Sequence, residues 1–318
     1  MAVTRKTNYL TRASEKILRE AIALKNKETV AILASLGHER DAVVLSMKNA
    51  VSYLGGSPEV IICNNAGRKT DRLSRRLCGY DVILECTRSP IPASTFEQAR
   101  ELGTRGLFMF RLTPQAIVRG SLARQPTVRL LMEKVSSILN KAREIDILAE
   151  NSDYRFKVQG AKREAVSATG TASKSGEFAF FPPGVIAIAP KEFTADGSIL
   201  ANGTLVGYGK LRNHVSLTFA NGLLEKIPAA LDTMCGNQLR KRNARVLCEV
   251  GCGVSAWAGT SGTGEDERIR GSVHIGLGDN LSFQGEVKSA VHMDFTLKNA
   301  SLVVDKKTLI ERGKLLVH

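Results

Sequence analysis

The sequence predicts an α/β domain with a mostly parallel sheet over residues 1–150, followed by a β-rich domain, a barrel or a sandwich, over 151–318. Short apolar runs alternate with amphipathic helical stretches in the first half, which is typical of a parallel sheet covered by helices. From Tyr154 onward, short strand-like runs are separated by turns. The 318 residues are also enough for two hydrophobic cores.

In the first half, helices and strands are predicted in alternation. Apolar residues at helical spacing predict helices at 10–24, 42–54, 72–77, 94–102 and 126–145. Short apolar runs, most of them rich in β-branched residues, predict strands at 29–34, 59–63, 81–85 and 106–110. No dinucleotide or phosphate-loop motif accompanies them, since the first strand runs into Ser35-Leu36-Gly37-His38. We interpret His38 as a loop or capping residue.

In the second half, turn residues divide the chain into strands. Asp196-Gly197, Asn202-Gly203 and Asn221-Gly222 are pairs that tight turns require. A helix is predicted at 229–239, and its basic tail leads into a strand that starts at Val246. This pattern predicts a barrel or a sandwich.

The composition argues against several classes of protein. The net charge is +14, with basic clusters at Arg68-Lys69, Arg72, Arg75-Arg76 and 240–245, but aromatic residues make up only 5% and no nucleic-acid-binding signature is present. We therefore interpret the charge as a solvated basic face rather than as a surface for a nucleic-acid partner. No apolar leader or membrane span is present, and the six cysteines show no disulfide spacing. A cytoplasmic protein without a membrane segment is expected.

Two of the five histidines lie in apolar, strand-like runs near the C-terminus. His274 lies in the run GSVHIGLGDN (271–280), and His292 is followed at i+2 by Asp294. Residues i and i+2 of a strand share a face, so imidazole and carboxylate are presented together. Glu249 also lies in an apolar run, where a carboxylate is costly to bury unless it is paired or bound to metal. These four residues predict a metal site.

Other polar residues near these runs are weaker candidates. Asp266 and Glu267 precede the 271–280 run and could contribute a carboxylate. Cys248 and Cys252 flank Glu249 but lack a second cysteine pair, so we interpret them as small core residues.

The order of the motifs in this half resembles a known family. The segments are FPPGVIAIAP (181–190), ANGT (201–204), EVG (249–251), GSVHIGLGDN (271–280) and HMD (292–294). They resemble the aminopeptidase T (thermophilic leucyl aminopeptidase) family of metallopeptidases. The same superfamily includes the 2,5-dihydroxypyridine 5,6-dioxygenases, which are mononuclear iron enzymes.

The resemblance to the aminopeptidases implies a metal-ligand set with one gap. Those enzymes hold two metals with two glutamates, two histidines and an aspartate. Glu249 matches the second glutamate, His274 the first histidine, and His292 with Asp294 the closing pair. The first glutamate corresponds to Val185 here, and a family tyrosine falls near Leu281. A single metal is therefore expected.

The resemblance to the dioxygenases is also partial. They likewise lack the first glutamate, but they carry histidine at the position of Glu249 and serine at that of His274. Their substrate-pocket histidines correspond here to Phe180 and to residues around Pro90. The resemblance therefore makes 2,5-dihydroxypyridine itself a poor guess for the substrate.

From the predicted metal site and the resemblance we predict a metal-dependent hydrolase of the aminopeptidase T type. It would act on an amide or short peptide-like substrate, with Glu249 or Glu267 as general base. The cofactor would be one divalent ion: Zn, Mn, Co or Fe(II). The alternative is a mononuclear non-haem Fe(II) ring-cleaving dioxygenase, and a non-catalytic binding protein is a third possibility. The resemblance also implies a homodimer or a larger homo-oligomer.

Overall fold

A computed structural model of the chain describes residues 2–38, 40–63, 71–123, 125–149 and 154–317. The basic pair Arg68-Lys69 lies outside them. The helices are α1 (Ala2–Glu20), α2 (Ala42–Tyr53), α3 (Asp71–Leu77), α4 (Glu97–Glu101), α5 (Pro114–Leu122), α6 (Gln125–Leu139) and α7 (Ala229–Leu239). The strands are β1 (Thr29–Ser35), β2 (Ser57–Cys63), β3 (Val82–Glu85), β4 (Arg105–Phe108), β5 (Glu144–Leu148), β6 (Arg155–Gln159), β7 (Val166–Ser167), β8 (Phe178–Phe180), β9 (Val185–Ile188), β10 (Asp196–Ala201), β11 (Thr204–Leu205), β12 (Gly209–Lys210), β13 (Val215–Ala220), β14 (Leu223–Leu224), β15 (Leu247–Gly253), β16 (Val273–Gly278), β17 (His292–Leu297), β18 (Ser301–Val304), β19 (Lys307–Glu311) and β20 (Lys314–Leu315).

The first compact unit contains Met1–Ala123 and Ala168–Pro183. Its sheet has the strand order β2-β1-β3-β4-β8, and every neighbouring pair is parallel. Alternate residues of β1 enter two separate cores: Ile32 packs with α1, α2 and α5, and Leu33 packs with α3 and α4. A parallel sheet buried on both faces is the predicted α/β architecture, which is confirmed.

The second unit contains Arg124–Ser167 and Gly184–His318. It has two antiparallel sheets, with the strand orders β14-β13-β10-β6-β5-β18-β19-β20 and β12-β11-β17-β16-β15-β9-β7. The β-rich second half is therefore also confirmed. In the part of the chain that the structure describes, no helix has the length and apolar character needed to cross a membrane.

The helix predicted at 126–145 is wrong at its C-terminal end. Helix α6 ends at Leu139, and residues 144–148 form β5, which pairs with β6 and β18. Ile145 and Ile147 alternate with polar residues and are fully buried, which is a strand pattern. Because α6 and β5 belong to the second unit, the expected domain boundary at residue 150 lies inside that unit.

Candidate metal centre

Three adjacent strands of the seven-stranded sheet present the predicted site residues. Glu249 on β15 lies opposite Gly276 on β16, which lies opposite Asp294 on β17. Opposite residues of antiparallel strands share a face. His292 is two residues from Asp294 and His274 is two residues from Gly276, so both histidines project from that same face. The pairing of the three strands therefore places all four side chains on one surface of the sheet.

Glycines beneath these side chains leave room for them. A Cβ added to Gly276 would lie 2.8 Å from the Cβ of Glu249 and 2.9 Å from Oδ1 of Asp294. At Gly251 it would lie 2.3 Å from Nε2 of His274. All three distances are shorter than an ordinary contact of a Cβ atom. These two glycines leave the space in which the polar side chains converge, and we call Gly251 and Gly276 the glycine floor.

Three donor atoms meet above the glycine floor. Nε2 of His292 lies 2.9 Å from Oε2 of Glu249 and 3.1 Å from Oδ1 of Asp294. One ligand atom from each of the three residues falls within 4.8 Å of the others. The two carboxylate atoms are buried, and both lie within ion-pair distance of the His292 imidazole. A protonated His292 can pair with both carboxylates, and a divalent cation bound by the neutral imidazole would take the place of that proton.

The orientation of the His292 ring makes Nε2 a ligand atom. Nδ1 lies 2.7 Å from the carbonyl oxygen of Asp279, which can only accept a hydrogen bond. The ring of Phe283 stacks on the imidazole, with centroids 5.7 Å apart and planes 5° apart. In the neutral ring, therefore, Nδ1 carries the proton and the Nε2 lone pair points at the carboxylates. This second contact of the imidazole is the usual support of a metal-binding histidine.

The three donors fit a divalent metal ion. Two ligands at right angles, each about 2.1 Å from an ion, lie about 3.0 Å apart, which matches the 2.9 and 3.1 Å measured here. Imidazole and carboxylate suit Mn, Fe and Zn.

Burial lowers the pKa of His292, but the negative charge of Asp294 outweighs this effect and raises that pKa well above its usual value. The site thus favours positive charge at this position.

His274 is placed differently from the other three predicted ligands. Its Nε2 contacts Oε1 of Glu249 at 3.0 Å, the oxygen that does not face His292. Burial raises the pKa of Glu249, but the two imidazoles outweigh it and the net pKa is lowered. The structure therefore brings three of the four predicted ligands together. His274 instead contacts Oε1 of Glu249, on the side of that carboxylate that faces away from His292. Its Nδ1 has no partner among the described residues.

Glu267 lies in a short 3-10 helix, Gly264–Arg268, next to the centre. Its Oε1 is buried without a hydrogen-bond partner among the described residues. Burial and then the charge of Asp294 raise its pKa to about 8, so it holds a proton at neutral pH. The other acidic candidate, Asp266, accepts hydrogen bonds from Thr204 Oγ1 (2.6 Å) and from the backbone of Ser261 (2.7 Å). Asp266 therefore anchors a loop.

The remaining residues singled out from the sequence have varied positions. Cys248 and Cys252 are buried, and burial raises the pKa of their thiols to about 11 and about 12. Val185 lies opposite Gly253, on the face of the sheet that carries the site. Leu281 is 49% exposed. His38 is in the first unit, 3.4 Å from a carboxylate oxygen of Asp41.

Three contributors were not recognised in the sequence. The glycine floor has a signal at Gly276, which lies between two apolar residues and two positions after His274. Phe283 and the carbonyl of Asp279 have none, because their contact with His292 depends on how the intervening segment folds.

Comparison with known proteins identifies the family. The family model of 2,5-dihydroxypyridine 5,6-dioxygenase matches residues 10–317. The structure of 2,5-dihydroxypyridine dioxygenase from Pseudomonas putida KT2440 superposes with a TM-score of 0.80 at 18% identity, covering 97% of each chain. Wild-type AmpT from Thermus thermophilus gives a TM-score of 0.67 at 13% identity, covering 98% of this chain and 99% of that one. The comparison with curated proteins gave no match.

The two structural matches confirm the fold expected from the resemblance, which both kinds of enzyme share. The family match separates them, because it extends over nearly the whole chain and is to the dioxygenase. We conclude that the chain is an enzyme and a member of the 2,5-dihydroxypyridine 5,6-dioxygenase family.

Proposed function

We propose that this protein is a metal-dependent ring-cleaving dioxygenase that acts on a small hydroxylated aromatic ring. The observation that carries the proposal is the convergence of Glu249, His292 and Asp294 on one sheet face, in a chain that matches the dioxygenase family over residues 10–317. This was the alternative in the sequence analysis, and it is better supported than the hydrolase preferred there.

The three donors would hold a divalent ion, which we propose to be Fe(II). When bound, the ion would supply redox chemistry and open positions for O2 and a substrate hydroxyl. His292 keeps its orientation through Asp279 and Phe283. Protonated Glu267 can donate a hydrogen bond from Oε1 or Oε2 to an anionic substrate oxygen.

In the overall reaction, both atoms of O2 enter the product, the O–O bond and one ring C–C bond break, and two C–O bonds form. O2 is the oxidant and the ring is the reductant, so no other electron donor is needed.

The substrate we propose is a class of compound. The dioxygenase relatives are named for 2,5-dihydroxypyridine, but the resemblance places histidine and serine where this chain has Glu249 and His274. Two carboxylates neutralise the charge of a divalent ion, whereas a site with two histidines and one carboxylate retains one positive charge. We therefore expect this site to prefer a neutral or monoanionic hydroxylated ring to a dianionic one.

A hydrolase of the aminopeptidase T type is the second candidate. One observation favours it: Glu249 has an imidazole at each oxygen, His274 at Oε1 and His292 at Oε2, and the resemblance assigns this set to the aminopeptidases. In that reaction Glu249, or Glu267 at a pH above its raised pKa, would accept a proton from water. A neutral amide or a short peptide would be the substrate.

Metal content and oxygen uptake distinguish the two candidates. Protein purified without oxygen is loaded separately with Fe(II), Mn(II), Co(II) and Zn(II), then given dihydroxypyridines, dihydroxybenzenes and amino-acid amides. Our proposal predicts O2 uptake only with Fe(II) and a hydroxylated ring, with both atoms of ¹⁸O2 in the product. Amine release with Zn, Mn or Co and no O2 uptake would establish the hydrolase instead. His292→Ala should be inactive, and the exposed His214 provides the control variant His214→Ala. A protein that binds none of these metals would contradict both candidates.

A further inference from the structure

The segment between β16 and β17, residues 279–291, contacts the candidate metal ligand His292 twice. The carbonyl of Asp279 accepts a hydrogen bond from Nδ1, and Phe283 stacks on the ring. One contact is made by a backbone carbonyl and the other by a side chain, and both lie in the same irregular segment, 279–291, which we call the ring-holding loop. The orientation of His292 therefore depends on whatever fixes this loop.

Asn280 forms the interior of the ring-holding loop. It is fully buried, and its Oδ1 accepts a hydrogen bond from the backbone of Val287 at 2.8 Å. Its backbone carbonyl accepts from the amides of Phe283 (3.0 Å) and Gly285 (2.9 Å), and its own amide donates to Val287 (3.1 Å). A Cβ on Gly285 would lie 2.0 Å from Cγ of Asn280. The loop is thus closed around this one side chain.

Glu192 and Arg163 hold the loop from outside. Oε1 of Glu192 accepts from Nδ2 of Asn280 at 2.9 Å and from the backbone of Glu286 at 3.0 Å. Its Oε2 pairs with Nη2 of Arg163 at 2.8 Å, and both side chains are largely buried, 10% and 14% exposed. Arg163 also donates to the carbonyl of Pro190 at 2.9 Å. Charge-assisted hydrogen bonds in such a setting are strong and specific in geometry.

We propose that Asn280 and the Glu192–Arg163 ion pair are positioning residues that keep Nε2 of His292 directed at the metal position. Asp279 is also held by its own amide, which donates to the Val291 carbonyl (2.7 Å), and by the Ser289 amide, which donates to its Oδ2 (3.0 Å). We therefore expect loss of the Asn280 side-chain bonds to loosen the loop that carries both contacts with the imidazole without unfolding it. A released ring can rotate or bind metal with the wrong geometry. The inference rests on the metal site of the proposed function.

The test compares two asparagines, Asn280 and Asn202, whose side chains each form two hydrogen bonds that hold a loop or turn in place. Asn202 also clamps a turn of the second unit, with Oδ1 accepting from the amide of Lys298 (2.6 Å) and Nδ2 donating to its carbonyl (3.1 Å). Both of these hydrogen bonds are to Lys298, which lies outside the ring-holding loop. The variants are Asn280→Ala, Glu192→Gln and the control Asn202→Ala, all in the full chain. The probe is Co(II) alone, followed by calorimetry and by its visible absorption spectrum.

We expect Asn280→Ala and Glu192→Gln to weaken Co(II) binding by about tenfold or more and to change its spectrum. Asn202→Ala should keep the wild-type affinity and spectrum even if it loses as much thermal stability. Equal Co(II) affinity and spectra in Asn280→Ala and Asn202→Ala would overturn the inference, and if Asn280→Ala does not fold, the same comparison holds for Glu192→Gln.

A metal-free measurement separates this inference from the proposed function. The Nδ1 proton of His292, identified by its loss in His292→Ala, should exchange slowly in the wild-type protein and in Asn202→Ala, because it is bonded to the Asp279 carbonyl. It should exchange rapidly in Asn280→Ala and Glu192→Gln. If wild-type protein binds no Co(II), the proposed metal site fails, but this proton still decides whether the loop holds the ring. Slow exchange in the Asn280 and Glu192 variants would overturn the positioning role.

Discussion

At the residue scale, the candidate site depends on the small residues as much as on the charged ones. Glu249 and Asp294 are two strands apart, and Gly276 between them has no side chain to separate them. Glycine in a strand interior often marks a close approach of other groups. The sequence predicted the ligand types, while the space they share comes from glycines.

Replacing Gly276 by alanine should block the site without unfolding the sheet. The new Cβ would lie within 3 Å of Glu249 and Asp294, so both carboxylates must move apart. We expect the affinity for Co(II) to fall at least about tenfold, or about 1.4 kcal/mol of binding free energy. Gly79→Ala is the matched control, because the nearest atom to its Cβ would be 3.6 Å away. Unchanged affinity in Gly276→Ala would show that the carboxylates do not share one ion.

Replacing Val185 by glutamate tests the gap implied by the resemblance. Val185 faces the same side of the sheet as His274, one row further along β9 and β15, and Nδ1 of His274 has no partner among the described residues. Restoring a carboxylate should raise the metal content from one towards two ions per chain, measured by elemental analysis. Val185→Gln introduces a side chain of the same size as glutamate but without its charge, so its metal content should stay at one ion per chain. No difference between the two variants would contradict the matching of residue 185 to the family glutamate.

The predictions from sequence succeeded for residues on a regular strand, where side chains alternate between the two faces. They failed where the strand is irregular. His292 and Asp294 are two apart on one regular strand, so their shared face followed from the sequence. Between Leu247 and Glu249 the pairing of β15 with β16 shifts by a bulge. A bulge re-aims the following side chain, so the orientation of Glu249, and with it the placement of His274 behind it, did not follow from periodicity.

At the element scale, the errors have local causes. The predicted helix was continued through residues 140–145, although Asn140 and the alternating 144–148 segment mark its end. Helix α5 was not predicted, yet it has a start signal: Thr113 accepts a hydrogen bond from the amide of Ala116 at 3.1 Å, and Pro114 occupies its first turn. Strand β8 joins the first sheet from residue 178, far from its neighbours in sequence, which no local pattern indicates.

Glu192 should make the stability of the ring-holding loop depend on pH. Burial raises its pKa, but the hydrogen bonds from Arg163, Glu286 and Asn280 outweigh it and lower the pKa to about 2 from 4.5. A carboxyl group with a lowered folded-state pKa contributes stability that is present above about pH 4.5 and is lost as the pH falls towards 2. Glu192→Gln should therefore be less stable than wild type in urea at pH 6, with the difference shrinking below pH 4.5. A difference independent of pH would contradict an ionised Glu192.

At the scale of the whole molecule, the fold class was predictable from two sequence patterns. Helical and strand-like runs alternate in the first half, and short strand-like runs separated by turn residues fill the second half. The family was not decided by the ligand residues, since they resemble the aminopeptidases at some positions and the dioxygenases at others. It was decided by a match along nearly the entire chain. The homo-oligomer implied by the resemblance stays a prediction, which light scattering can measure.

Metal binding should stabilise the second unit selectively. A ligand that binds only the folded state stabilises it by about 2.7 kcal/mol at 100 times its Kd. Hydrogen exchange with Co(II) should slow in β15, β16 and β17 relative to the metal-free protein, and stay unchanged in β1–β4. His292→Ala should show no slowing at any strand. Equal slowing in both units would indicate binding elsewhere.

The glycine floor also bears on how such enzymes change their chemistry. At Gly251 and Gly276 an added Cβ would lie within 3 Å of His274, Glu249 or Asp294, so no side chain at these two positions competes with the site residues for space. The resemblance places histidine at position 249 in the dioxygenases, so Glu249→His is a single substitution that this space should accommodate. A designer can thus test the charge and softness of the centre one residue at a time, starting from position 249.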